Sequence, residues 1–374
     1  MTRVVAVADS DSYLKLADHL LAQLPADWQT ELAVVANPVQ PSPAQTTGLT
    51  TRPVATVGVR RWTELVAEAD VVLLSCTGPA MMPLLRRLRS LANRPVLVSA
   101  LPGISLPAND RAVWVRSQTD LLVVNSHRER EAFRGHRLAE GLRVGLGHLP
   151  QVGSPAPRVE GDEVVFAAQS LVPAKAEQRR AVLATLGHLS DPWRAVLKVR
   201  ALGGERQTHN ERWPYPQLLA ALEQEGAVPR GSIEVRAGSM QQALGRAGAM
   251  VTVSSTAALE AITAGVPVAV INDFGVSDDL INPVFEGSGL FTSLAQIRAG
   301  WFPAPDPAWL EANYFHDVAA DDWTAELDEL VAQRGAGELP QRPLRPEAMA
   351  GRLRQELRLA PPGWLWQAAR RIRR

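Results

Sequence analysis

Short continuous apolar runs, rich in valine and separated by helical stretches, recur along this chain and restrict its fold more than any other feature. A strand that alternates apolar and polar residues has one wet face, whereas a strand that is apolar throughout is covered on both. Arg3–Ala8, Leu32–Ala36, Val71–Ser75, Val96–Ser99 and Leu121–Asn125 are runs of the second kind. Between them, Tyr13–Leu24, Trp62–Glu68, Pro79–Ala92 and His127–Arg137 read as helices. Strands alternating with helices predict a parallel sheet covered by helices. Val39–Thr51, rich in Pro, Thr and Gln, reads as a loop.

The rhythm stops at Gln151–Gly161, a Pro- and Gly-bearing stretch with no apolar period, and then restarts. Strands are expected at Glu163–Ala168, Ala195–Arg200, Ser232–Arg236, Ala249–Val253 and Val266–Ile271. Helices are expected at Pro173–Leu189, Tyr215–Glu225, Met240–Arg246 and Thr256–Ala264. The chain of 374 residues therefore divides into an N-terminal α/β domain, 1–152, a second doubly wound α/β domain, 160–300, and a helical extension, 301–374, ending in a basic tail.

Composition narrows the function classes. The chain is 46% hydrophobic and 21% charged, which is globular and neither disordered nor fibrous. Its 39 basic and 39 acidic residues balance, so no nucleic-acid partner is expected. Cys76 is the single cysteine, which excludes an internal disulfide and a cysteine metal cluster. Met1-Thr2-Arg3 runs straight into the first strand, so no signal peptide is expected and the cytoplasm is the expected compartment. No apolar run approaches the ~18 residues of a membrane span. The histidines are scattered and no His-Glu-x-x-His occurs, so no metal or other cofactor is expected.

In open parallel sheets ligands bind beyond the carboxyl ends of the strands. The most informative strand end is Val251-Thr252-Val253-Ser254-Ser255-Thr256, where three hydroxyls meet the start of a helix. The unpaired N–H groups of a helix's first turn favour phosphate, and Ser254, Ser255 and Thr256 add hydroxyls. Plain N-capping explains the same residues. Glu260 adds weight: its helix is apolar nearly all round, so the carboxylate is expected to be buried and in need of a partner, one turn from Thr256. A carboxylate accepts two hydrogen bonds at once, which suits a ribose diol; an ion pair with an arginine is the alternative.

Ser254-Ser255-Thr256, Glu260 and Gly265-Val266-Pro267 after an apolar strand resemble the donor site of GT-B glycosyltransferases. The likeness is to bacterial capsule, sialic-acid and teichoic-type transferases, and a similar segment occurs in sugar-nucleotide 2-epimerases. It implies two Rossmann-like domains facing a cleft, a nucleotide-sugar donor, and transfer to a glycan or lipid-linked acceptor in envelope or polysaccharide synthesis. It also implies inversion without a metal. Two features depart from the family: Val268 stands where a second glutamate is familiar, and no His-Pro pair follows the second strand of this domain. An epimerase or hydrolase, or a catalytically degenerate nucleotide-binding protein, remains the alternative.

The resemblance assigns further candidates. Lys198 and Arg200 are expected at the phosphates, with His209 weaker; Gln169 faces the cleft; Gly238 and Ser239 read the base; Asn272 and Asp273 touch the sugar. An inverting transfer needs a base for the acceptor hydroxyl, and Asp9, Asp11 and His127 of the first domain are the candidates, although capping explains each. The tail residues Trp364 and Trp366, with Arg370, Arg371, Arg373 and Arg374, suit either peripheral contact with an anionic membrane or a helix docked on the body.

Overall fold

The computed structural model describes residues 1–37, 40, 43–88, 91, 93–153, 155–157, 160–199, 211–341 and 345–359. The chain forms two compact units: Met1–Pro150 with Asp317–Arg374, and Gln151–His316.

Unit 1 begins with β1 (Arg3–Ala8), α1 (Asp11–Leu21), β2 (Gln29–Val35), α2 (Pro43–Leu49), β3 (Val54–Val57) and α3 (Trp62–Val66). It continues with β4 (Val71–Ser75), α4 (Gly78–Leu88), β5 (Val96–Ala100), α5 (Asp110–Arg116), β6 (Leu121–Val124), α6 (His127–Arg134) and β7 (Arg143–Leu146). Its strands form one parallel sheet in the order β3-β2-β1-β4-β5-β6-β7. Every residue of β4, β5 and β6 is buried, as their unbroken apolar sequence requires. One face packs Leu14, Leu16 and Leu20 of α1; the other packs Met81, Leu84 and Leu85 of α4.

Unit 2 contains β8 (Glu163–Ala167), α7 (Ala176–Leu186), β9 (Arg194–Lys198), α8 (Tyr215–Gln224), β10 (Ile233–Arg236) and α9 (Met240–Leu244). It continues with β11 (Ala247–Thr252), α10 (Ala257–Thr263), β12 (Val268–Ile271), β13 (Phe291–Thr292), α11 (Leu294–Arg298) and α12 (Pro307–Ala312). Its sheet is also parallel, in the order β10-β9-β8-β11-β12-β13. The core gathers Phe166, Leu183, Leu197, Tyr215, Leu219, Val251 and Ile271.

The C-terminal region differs from the expected separate extension. α12 belongs to unit 2, while α13 (Trp323–Gly335) and α14 (Met349–Leu359) belong to unit 1. The reason is burial: Trp323, Leu327 and Leu330 complete the core over β1, β4, β5 and β6. The Trp323 indole N–H also donates to Gln23 Oε1 at the end of α1, 2.7 Å away. The expected loop at Val39–Thr51 holds α2, whose Leu49 packs on the same core. Three short strands escape the sequence pattern: β3 exposes its two middle residues, β7 carries Gly145 among four residues, and β13 is only two residues long. Among the described residues no helix is long and apolar enough to cross a membrane.

Gly145 of β7 lets α13 lie close. A Cβ there would stand 2.8 Å from Trp323 Cα. Gly145→Ala is therefore expected to overpack the contact and lower stability by about 1–3 kcal/mol, read as a lower urea midpoint with an unchanged slope.

Candidate functional site

A doubly wound sheet reverses its winding once, and there two neighbouring strands send their loops to opposite faces and leave a crevice. In unit 2 that place lies between β8 and β11. The loops leaving these strands carry Gln169 and Ser254-Ser255-Thr256.

Gln169 stitches the two loops together. Its Nε2 donates to the Ser254 carbonyl at 3.0 Å, and its Oε1 accepts from the Ser254 N–H at 3.0 Å. The Ser254 hydroxyl donates to the carbonyl of Ile281 in the loop after β12. Ile281 adopts φ 57°, a left-handed conformation that costs a β-branched residue about 1–2 kcal/mol. Fully buried Asn282 holds this loop in place, accepting from Ser277 N at 3.0 Å and donating to Gly275 O at 3.1 Å.

Gln169 is itself held by Arg179, a fully buried residue of α7. All five N–H groups of this guanidinium are engaged. Nε donates to Pro173 O at 2.8 Å; Nη1 donates to Trp213 O at 2.7 Å and to Glu211; Nη2 donates to Gln169 O at 3.2 Å and Ser170 O at 2.8 Å. The guanidinium also stacks 4.7 Å from the Tyr215 ring. Burial pushes the Glu211 carboxyl up, and the bond to Arg179 pulls it back. Arg179 is not among the residues that motif and spacing single out. A signal was present: the residue stands on the stripe of Val182, Leu183 and Leu186, where an apolar side chain belongs.

The three hydroxyls divide into two roles. Ser254 and Ser255 serve the framework: Ser255 Oγ accepts from Ala257 N at 3.2 Å, and its N–H donates to Thr252 Oγ1 at 3.1 Å. Thr256 caps no N–H of α10 and is half-buried. Glu260 is not buried as expected. Ala257, Ala258, Leu259, Ala261 and Ile262 fill the protein side of this seven-residue helix. Thr256, Glu260 and Thr263 are left half-exposed on the remaining face, at helical spacing.

The other expected donor residues are more dispersed. Lys198 is buried at the end of β9, where its Nζ donates to Val199 O at 2.7 Å. Arg200 and His209 lie outside the described residues. Gly238 has φ 107° and so suits only glycine. Ser239 forms a reciprocal cap with Gln242 at the start of α9, its hydroxyl and N–H both used. Asn272 is exposed after β12, and Asp273 Oδ2 accepts from Leu294 N at 2.7 Å.

In unit 1 the winding reverses between β1 and β4. Buried Asp9 closes that parting much as Gln169 does in unit 2: its Oδ2 accepts from Thr77 N at 3.1 Å and Thr77 Oγ1 at 2.5 Å. Asp11, at the start of α1, is half-buried, and burial raises its carboxyl pKa despite an opposing backbone hydrogen bond. His127 opens α6, two strands from the reversal. Its Nδ1 accepts from Arg130 Nη2 at 3.1 Å, because a guanidinium only donates. The neutral ring therefore carries its proton on Nε2 and has no second lone pair to act as a base. Cys76 is fully buried; burial pushes its thiol well up, and Sγ lies 3.3 Å from Val7 O.

Two further buried groups order unit 1. The Glu129 carboxylate accepts from Ser105 N at 2.7 Å and Asn125 N at 2.9 Å, joining the loops after β5 and β6. His148 Nδ1 lies 2.7 Å from the Asp321 carboxylate, across 173 positions of sequence that no local pattern connects. His19 beside them is shifted toward its neutral form, first by burial and then by the charge of His148.

A family model described as "Putative glycosyltransferase (DUF6716)" matches residues 4–330. The S. aureus MnaA–UDP structure is similar at TM-score 0.56 and 10% identity, covering 93% of this chain and 100% of that one. Arabidopsis thaliana UGT89C1 complexed with UDP-L-rhamnose is similar at TM-score 0.54 and 15% identity, covering 89% and 98%. A UDP-N-acetylglucosamine 2-epimerase is similar at TM-score 0.53 and 12% identity, covering 93% and 100%. At these identities the likeness is one of fold, the two-domain α/β arrangement of GT-B proteins. A search of curated proteins finds no match.

Arg179→Met is expected to strand Glu211 and four carbonyls and to cost about 3–5 kcal/mol, read in urea unfolding. Arg180→Ala next to it, which breaks only an exposed pair with Glu225, should change stability by about 1 kcal/mol or less.

Proposed function

The chain belongs to the family described as Putative glycosyltransferase (DUF6716), and from that membership we propose that unit 2 binds a nucleotide-activated sugar where β8 and β11 part. The observation that carries this reading is the division of labour around Ser254. The framework uses Gln169, Ser254 and Ser255, while Thr256 and Glu260 share the half-exposed face of α10.

In this reading the diphosphate lies against the first turn of α10 and the Thr256 hydroxyl, with Lys198 and Arg200 as the cationic partners. Glu260 accepts from the ribose diol. Asn272 lies on the sugar side, and the loop at Gly238 on the base side. The acceptor oxygen attacks the anomeric carbon as the bond from that carbon to the diphosphate oxygen breaks. The nucleoside diphosphate leaves, the configuration inverts, and a base takes the hydroxyl proton. We assign that base to Asp11, which stands half-buried at the start of α1 after the strand at the reversal, its carboxyl pushed up by burial. The chemistry needs no metal in this reading. The acceptor is a glycan or lipid-linked chain of envelope or polysaccharide synthesis, made on the cytoplasmic side.

UDP is the first nucleotide to test, since the similar MnaA structure holds UDP and the similar UGT89C1 structure holds UDP-L-rhamnose. It is expected to raise the unfolding temperature of the protein. Glu260→Ala should weaken binding by about tenfold or more, with His127→Ala close to wild type. Failure of UDP and every other nucleoside diphosphate to stabilise the protein would overturn the donor site.

Asp11→Asn should lower turnover of a UDP-sugar with water as acceptor by about 10²–10⁴-fold and leave UDP affinity unchanged. A base acts only when deprotonated, so a raised carboxyl pKa places the acid limb of the rate profile above the usual aspartate range. That limb should disappear in Asp11→Asn. Rapid epimerisation of the donor without any acceptor would favour the epimerase reading instead.

A further inference from the structure

α14, the last described helix of unit 1, is docked with its polarity reversed. A surface helix ordinarily turns its apolar stripe inward and its charges to water. Here the inward contacts are ionic. Arg86 of α4 reaches Glu347 at 3.0 Å, Gln355 at 3.1 Å and Glu356 at 3.1 Å. Arg87 grips both oxygens of Glu356 at 3.0 and 2.8 Å, a fork that holds this carboxyl below the usual range. Leu359 is buried and anchors the end of the helix in the core of α4 and its neighbours.

The outward face is apolar and basic. Met349, Leu353 and Leu357 fall at intervals of four on one stripe, and are 85%, 60% and 39% exposed. Arg352 and Arg354 are exposed beside them. The acids nearest to hand, Glu347 and Glu356, are turned against Arg86 and Arg87. In sequence, Pro361–Arg374 follows with Trp364, Trp366, four arginines and no acid.

We propose that this face of α14 is a docking surface for an anionic lipid bilayer. The charge argues for that partner: apolar side chains beside exposed Arg352 and Arg354 match a surface that is negative outside and apolar beneath. The tryptophans and arginines next in sequence suit the headgroup layer. The inference does not depend on the nucleotide site. If both hold, unit 1 reaches acceptors carried in the membrane.

The test is flotation of the full chain with vesicles of phosphatidylcholine alone or mixed with phosphatidylglycerol. The expected result is binding to the mixed vesicles only, weakened as salt is raised. The triple variant Met349→Gln, Leu353→Gln, Leu357→Gln should lose about tenfold or more of that binding. Its unfolding temperature and its response to UDP should match wild type, since the three side chains are exposed. Absence of wild-type binding overturns the proposal. So does equal binding by the triple variant, which would leave the tail as the sole contact. A concentration-dependent dimer in sedimentation that the triple variant abolishes would also overturn it, in favour of a second copy of the chain.

Discussion

A parallel sheet covered on both faces has to reverse its winding, and the two strands at the reversal part company at their carboxyl ends. Each unit closes that parting with a side chain that reaches across it. Gln169 reads both the N–H and the carbonyl of Ser254. Asp9 takes the N–H and hydroxyl of Thr77. Without these stitches the loops that carry the candidate site would have no fixed position relative to each other, and neither would the helices that start from them.

Behind the stitch of unit 2 stands a buried charge, Arg179, which fastens the loop after β8 to the segment entering α8. Elsewhere in unit 1 a second buried charge, Glu129, fastens the loops after β5 and β6. A buried ion is tolerated only when its hydrogen-bonding capacity is met. For Arg179 every N–H has an acceptor, and for Glu129 backbone N–H groups converge on the carboxylate. The loops are therefore ordered by groups that face the protein, while Thr256 and Glu260 stand half-exposed on the outer face of α10. A rigid frame that presents a few polar groups at its surface is the arrangement that binding requires.

Much of this was legible from the chain. Unbroken apolar runs gave away the strands buried on both faces, and the hydroxyls after Val253 marked the strand end that faces the reversal. Glu260 was misplaced because a helix of alanine, leucine and isoleucine reads as buried all round. Alanine is indifferent to burial, and a seven-residue helix with five buried positions still leaves one polar stripe outside. Asp9 and Ser239 read as site residues from the chain, and the fold adds their partners, Thr77 for one and Gln242 for the other. Arg179 was invisible, since its partners are mostly backbone carbonyls, which have no sequence signature. The C-terminal helices read as an appendage because their layer over the first sheet depends on Trp323 meeting a glycine of β7.

Sequence alone determined the fold class, the two runs of alternating strands and helices and the resemblance to nucleotide-sugar transferases. All of these rest on local periodicity and short-range spacing, which a linear chain carries. Tertiary structure decided which hydroxyls are framework and which face outward, and that Asp9 is buried against Thr77 while Asp11 is half-buried. It also decided that α14 turns Leu353 and Leu357 to solvent while burying Leu359. Those outcomes depend on partners tens to hundreds of residues away, and the chemistry of a side chain changes with the partner it meets.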